Sequence, residues 1–228
     1  MSRRPVDAVL LDAGGVLLDL DYAFLARALK AHRVESSLTD LARAESLART
    51  AIDRRVREGG RTSDAWRDYF RILLHQVGTP AAEIEGIIDL LWEAHQRSGL
   101  WTAAIDGAVA TVRALKDAGF RLGVVSNAEG RVARDLDSAG YATLFETVVD
   151  SHLVGVEKPD PAIFRIALER MGIEPEKALF LGDVPAVDVA GARAAGLTAV
   201  LLDRHDLYGD IDAPRLRSIT ELPAWLSA

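Results

Sequence analysis

The sequence predicts an α/β protein, a mostly parallel sheet with an all-helical block inserted after its first strand. Three observations carry this. A strongly apolar run at 6–11 ends in Asp12 and the pair Gly14-Gly15. From about residue 22 to residue 99 the apolar residues recur at three-to-four spacing, which is helical. Beyond Trp101, helical stretches alternate with short apolar runs, the pattern of right-handed βαβ units. A single strand cannot fold with helices alone, so 6–11 belongs to the later sheet. The expected division is 1–18 and 100–228 for the α/β core and 19–99 for the helical domain.

The helical block divides into four. Phe24, Leu25, Ala28 and Leu29 form one stripe; Leu41, Ala44, Ala48, Ile52 and Val56 form a second. Thr62-Ser63-Asp64 is a capping cluster for a third helix, which carries Trp66, Tyr69, Phe70, Leu73 and Leu74. Thr79-Pro80, a cap followed by proline at the first helical position, opens a fourth with Ile84, Ile87, Ile88 and Leu91. In the second half, the expected order is helix 107–118, strand 121–125 and helix 130–139. A strand at Val148-Val149, helix 161–171, strand 178–181, a helix from Pro185 to Gly196 and strand 197–202 follow.

Composition narrows the function classes. The chain has 228 residues, no cysteine and a net charge of -7. Disulfides, a thiolate nucleophile and a Cys-based zinc site are thereby excluded. Acidity and the scattered basic residues argue against nucleic acid, and the run Arg54-Arg55-Val56-Arg57 reads as a solvated helix face. No apolar run approaches the ~18 residues needed to cross a membrane, and the N-terminal stretch is too short for a signal sequence. A cytoplasmic protein with a small-molecule ligand is the expectation.

Four polar clusters follow apolar runs, at the strand ends where ligands of open parallel sheets bind. Asp12 offers a nucleophile or metal ligand, and Gly14-Gly15 leave backbone amides open to an anion. Ser126 and Asn127 offer a hydroxyl and an amide to phosphate oxygens. Lys158 supplies a cation that can keep Asp12 ionised and balance an anion. Asp183 and Asp188 add hard oxygen donors that, with Asp12, suit Mg²⁺ rather than zinc. Singly, each cluster is an ordinary turn; the fixed order carries the reading.

These residues resemble a known family. Val9-Leu10-Leu11-Asp12-Ala13-Gly14-Gly15-Val16 is similar to the first motif of the haloacid-dehalogenase-like (HAD) hydrolases, and Val124-Val125-Ser126-Asn127 to the second. Glu157-Lys158-Pro159-Asp160-Pro161 resembles the third, and Gly182-Asp183 through Asp188 the fourth. The resemblance implies a Rossmann-like core with an inserted α-helical cap of the subfamily I type. It further implies that Asp12 is a nucleophile forming an aspartyl intermediate, with Ser126 and Lys158 as catalytic partners. Gly14, Gly15, Ser126, Asn127 and Lys158 would bind a phosphorylated small molecule. Mg²⁺ would be held by Asp12, the Gly14 carbonyl and Asp183, with Asp188 behind.

One departure limits the analogy. Family phosphatases carry an aspartate acid two residues after the nucleophile, where this chain has Gly14. A phosphatase is the leading expectation; dehalogenase-like or phosphonatase-like hydrolysis and a weakened phosphate-binding protein are the alternatives. Asp19 is a candidate replacement acid, and Lys30 is the one cap lysine a phosphonatase could use. Trp66, Tyr69 and Phe70 are expected to pack the cap, although Trp66 or Arg61 could face a substrate. The order of the acidic groups excludes a receiver domain.

Overall fold

A computed structural model describes residues 6–62 and 65–228. Its centre is β1 (Ala8–Leu11), whose four residues are all buried. β1 pairs in parallel with β4 (Arg121–Ser126) on one side and β6 (Ala178–Gly182) on the other. With β5 (Thr147–Asp150), β7 (Thr198–Leu202) and β8 (Arg215–Leu216), the parallel sheet runs in the order β5-β4-β1-β6-β7-β8. The chain moves outward from β1 in one direction and then returns to its other side. The crevice between β1 and β6 is therefore a topological switch point, open at the carboxyl ends of the strands.

Strand alternation explains the two cores. Val9 and Leu11 face a layer with Val112 and Leu115 of α5 (Ala108–Asp117) and Leu222 of α10 (Leu222–Leu226). Ala8 and Leu10 point the other way, toward Phe164 and Leu168 of α8 (Pro161–Met171), which follows the one-turn α7 (Ser151–Val154), and toward Ala192 of α9 (Ala190–Ala194). Burial on both faces is why these strands read as continuous apolar runs.

The helical block forms a cap of α1 (Tyr22–Ala31), α2 (Leu38–Arg57), α3 (Trp66–Gln76) and α4 (Ala81–Ser98). Leu29, Leu41, Phe70, Leu73, Ile87 and Leu91 share its separate core, each completely buried. Ser37 and Asp40 close a capping box at the start of α2, an arrangement worth about 1 kcal/mol. Of the cap expected for α3, Ser63 and Asp64 lie outside the described residues. α4 starts one position late, because Pro80 takes the N-cap position itself.

Three further differences have local causes. Gly130 lies ahead of its helix, its N–H held by the Asp150 carboxylate at 2.9 Å, and α6 (Val132–Leu136) starts only at Val132. The expected helix at 185–196 forms, but it opens as a wide π-type turn, Pro185–Val189, before continuing as the short α9. Finally, β2 (Leu18–Leu20) and β3 (Trp101–Ala104) pair antiparallel where the chain leaves and re-enters the core.

Candidate active site

Strand ends place the functional groups. Asp12 follows β1, Ser126 ends β4 and Asp183 follows β6. The Asp12 amide donates to the Leu181 carbonyl at 3.0 Å, which ties the first turn to β6. Asp12 Oδ1 accepts from the Ala13 amide at 2.7 Å and pairs with Lys158 Nζ at 2.8 Å. Lys158 Nζ also reaches Asp188 Oδ1 at 2.8 Å, and lies 5.3 Å from the centroid of the Phe180 ring. Asp188 Oδ2 accepts from the amides of Asp183 at 3.0 Å and Val184 at 2.8 Å, so it shapes the turn carrying Asp183. Gly182 permits this, since a side chain there would occupy the space of Asp188.

The electrostatics are those of a crowded buried site. Oxygens of Asp12, Asp183 and Asp188 lie within 4.8 Å of one another. Burial raises the Asp12 carboxyl above its ordinary range, against the pull of Lys158. Burial also lifts Asp183 to about 7, although Arg49 works to lower it. Lys158 is only 1% exposed; burial disfavours its charge, but Asp12 and Asp188 outweigh that and hold it protonated.

Arg49 is the residue of the candidate site that sequence reasoning missed. From α2 its guanidinium reaches the Gly14 carbonyl at 3.3 Å and pairs with Asp183 and Glu45. Glu45 is completely buried and accepts a 2.5 Å hydrogen bond from the Tyr69 hydroxyl. One turn on, Asp53 Oδ1 accepts from the Ala186 amide at 2.7 Å, docking α2 on the turn after β6. The available signal was the alternating series Glu45, Arg49, Asp53, Arg57 at i,i+4 spacing, beside the apolar stripe. Gly15 sits at φ 79°, and a side chain there would run into Arg49 and Asp183.

Asp12, Gly14, Ser126, Asn127, Lys158, Asp183 and Asp188 all border one cleft of about 620 Å³ between core and cap. Gly15 lies outside that lining, behind Arg49. Asn127 spends its side chain on the scaffold: Oδ1 accepts from the Lys158 amide at 2.7 Å, and Nδ2 donates to Thr62 Oγ1 at 2.7 Å. Among the cap residues, Trp66 and Arg61 border the cleft, as does Tyr69, while Phe70 is buried in the cap core.

Two candidates do not reach the site. Asp19 is held by Arg204 through contacts of 2.6 and 3.1 Å and does not line the cleft, so it is not placed as the acid. Lys30 is exposed and faces Glu35 at 3.9 Å, away from the cleft. No described helix is long and apolar enough to cross a membrane.

The model of the haloacid dehalogenase-like hydrolases matches residues 6–196, and the chain belongs to that family. A phosphoserine phosphatase of Thermus thermophilus is 35% identical over 136 residues, 59% of this chain and 53% of the relative. The (S)-2-haloacid dehalogenase 1 of a Pseudomonas species is 29% identical over 238 aligned positions, covering 97% of each chain. The chain spans about half the length of the first curated relatives it matches. A HAD-hydrolase of Bacillus subtilis superimposes with a TM-score of 0.71 at 22% identity, over 99% of this chain and 100% of the other, a likeness of fold.

Proposed function

We propose that this hydrolase is a Mg²⁺-dependent phosphatase of small phosphomonoesters that works through an aspartyl phosphate on Asp12. The carrying observation is a charge imbalance. Among the described residues, four buried carboxylates in contact here, on Asp12, Asp183, Asp188 and Glu45, pair with the two cations Lys158 and Arg49. The excess matches a divalent cation, and an all-oxygen donor set of carboxylates and the Gly14 carbonyl fits a hard one. Asp12, Gly14 and Asp183 would hold it, with Asp188 behind. When bound, the cation neutralises charge developing on the transferring phosphoryl group.

The chain's own groups supply the rest. Asp12 Oδ1 is fixed by Ala13 and Lys158, which leaves Oδ2 to attack phosphorus. The bond from phosphorus to the leaving oxygen breaks, and that oxygen departs with the electron pair. An ammonium has three donors; Lys158 gives two to Asp12 and Asp188, and the third serves a phosphoryl oxygen beside the Ser126 hydroxyl. Water then attacks phosphorus of the aspartyl phosphate, releasing phosphate and restoring Asp12.

Dehalogenation is the second reading, favoured by Gly14, because a halide leaves without a proton. Asp183 weighs against it: a third carboxylate near Asp12 repels an anionic 2-haloacid. The test is the initial rate on acetyl phosphate, with Mg²⁺ or with chelator, beside the rate on 2-chloropropionate. Mg²⁺-dependent release of phosphate supports the proposal. Turnover of the haloacid alone overturns it.

A further inference from the structure

Gly14 and Trp101 together describe the leaving group. A Cβ built on Gly14 would lie 3.5 Å from Trp101 Cδ1 and 3.7 Å from its Nε1. The room beside Gly14, where a general acid would project, is thus bordered by an indole. From there an aromatic wall runs outward. Trp101 stands 5.8 Å from both Tyr69 and His95 between ring centroids, His95 lies 6.1 Å from Trp66, and Trp66 meets Trp92 at 4.9 Å. All five line the cleft, and Trp92 is 40% exposed at its outer end.

We infer that the preferred substrates are aryl phosphates, with the ring against Trp101 and its neighbours; this rests on the phosphatase reading above. Two independent facts converge on it. Flat rings gain from edge-to-face or offset contact with such a wall, by roughly 2–10-fold in affinity. Without an acid at Gly14 the leaving oxygen must depart unprotonated. A phenol, with a pKa of ~10, bears that far better than an alcohol, whose pKa is near that of water at ~15.7. The step balances: Asp12 Oδ2 bonds phosphorus, the aryl oxygen leaves as phenolate with the bonding pair, and solvent supplies its proton outside the site.

Phenyl, benzyl and cyclohexylmethyl phosphate separate the two contributions, with acetyl phosphate as a ring-free activated control, all assayed with Mg²⁺. Benzyl phosphate has the ring but an alkyl leaving oxygen. The expected result is a kcat for phenyl over benzyl phosphate of at least ~10², the lower end of what acid catalysis supplies. KM for benzyl phosphate should be lower than for cyclohexylmethyl phosphate by roughly 2–10-fold. Trp101→Leu should erase that KM difference. The wild-type comparison stands even where the variant fails to fold. Equal kcat for phenyl and benzyl, or equal KM for benzyl and cyclohexylmethyl, with acetyl phosphate still turned over, overturns this inference and leaves the phosphatase reading intact. No turnover of either acetyl or phenyl phosphate overturns that reading, and this one with it.

Discussion

The Arg49 guanidinium rests between the Gly14 carbonyl and the Asp183 carboxylate, two of the groups proposed to hold a divalent cation. A positive charge carried by the cap therefore competes with the cation for the same oxygens. Arg49→Met removes the competitor while keeping an unbranched side chain. Mg²⁺ affinity should rise, by about tenfold or more, since truncating one partner of a buried pair frees charge worth ~3–5 kcal/mol. The metal-free melting temperature should fall for the same reason. Calorimetric titration with Mg²⁺ reads the first effect; weaker binding in the variant would show that Arg49 supports the cation rather than competing.

Asp183 sets a pH dependence for the metal-free protein. Its carboxyl rises from 3.8 to about 7, mainly through burial. The folded state therefore holds this proton more tightly than the unfolded chain. Stability is lost as pH rises from 3.8 to about 7, and the penalty is complete above that. Thermal melts should show that loss in wild type and a flatter profile in Asp183→Asn. Mg²⁺ should raise the melting temperature more at pH ~8 than at pH ~6, above and below that value, and hardly at all in Asp183→Asn. A pH-independent Mg²⁺ effect would contradict this assignment.

The adjacent glycines should respond differently to substitution. Gly15, at φ 79° with Arg49 and Asp183 where its side chain would go, should lose at least ~1–2 kcal/mol on change to alanine. Gly14 meets only Trp101, at ordinary contact distance, so Gly14→Asp should fold. Urea titration checks both. The folded Gly14→Asp protein should gain on alkyl phosphates within the ~10²–10⁴ range of acid catalysis. No gain would mean that the proton comes from elsewhere.

Much of this site is legible in the sequence because strand ends write themselves locally. Asp12, Ser126 and Asp183 each end or directly follow an apolar strand, and the parallel sheet brings such ends together; Lys158 precedes Pro159 in the loop between α7 and α8, and Asp188 lies in the turn after β6. Arg49 was hidden because Glu45 and Arg49 at i,i+4 have the spacing of a solvated ion pair. Only the docking of α2 against the turn after β6 buries them. Asp19 was open to a catalytic reading because its partner Arg204 is 185 residues away. β2 and β8, of three and two residues, are too short to carry a periodic signal.

The central claim is that Asp12 carries a phosphoryl group, and turnover in heavy-oxygen water tests it most directly. In an aspartyl phosphate, water attacks phosphorus, so the label enters inorganic phosphate and the Asp12 carboxylate keeps its own oxygens. In an aspartyl alkyl ester, as dehalogenation requires, water attacks the Asp12 carboxyl carbon and the label stays on the protein. Mass spectrometry of the released phosphate and of the peptide containing Asp12 reads both. The expected result, with acetyl phosphate and Mg²⁺, is labelled phosphate, no label on Asp12 and, on borohydride trapping during turnover, reduction of Asp12 to homoserine as an acyl phosphate requires; Asp12→Asn should form no labelled phosphate. Label on Asp12, or labelled phosphate still formed by Asp12→Asn, would contradict it.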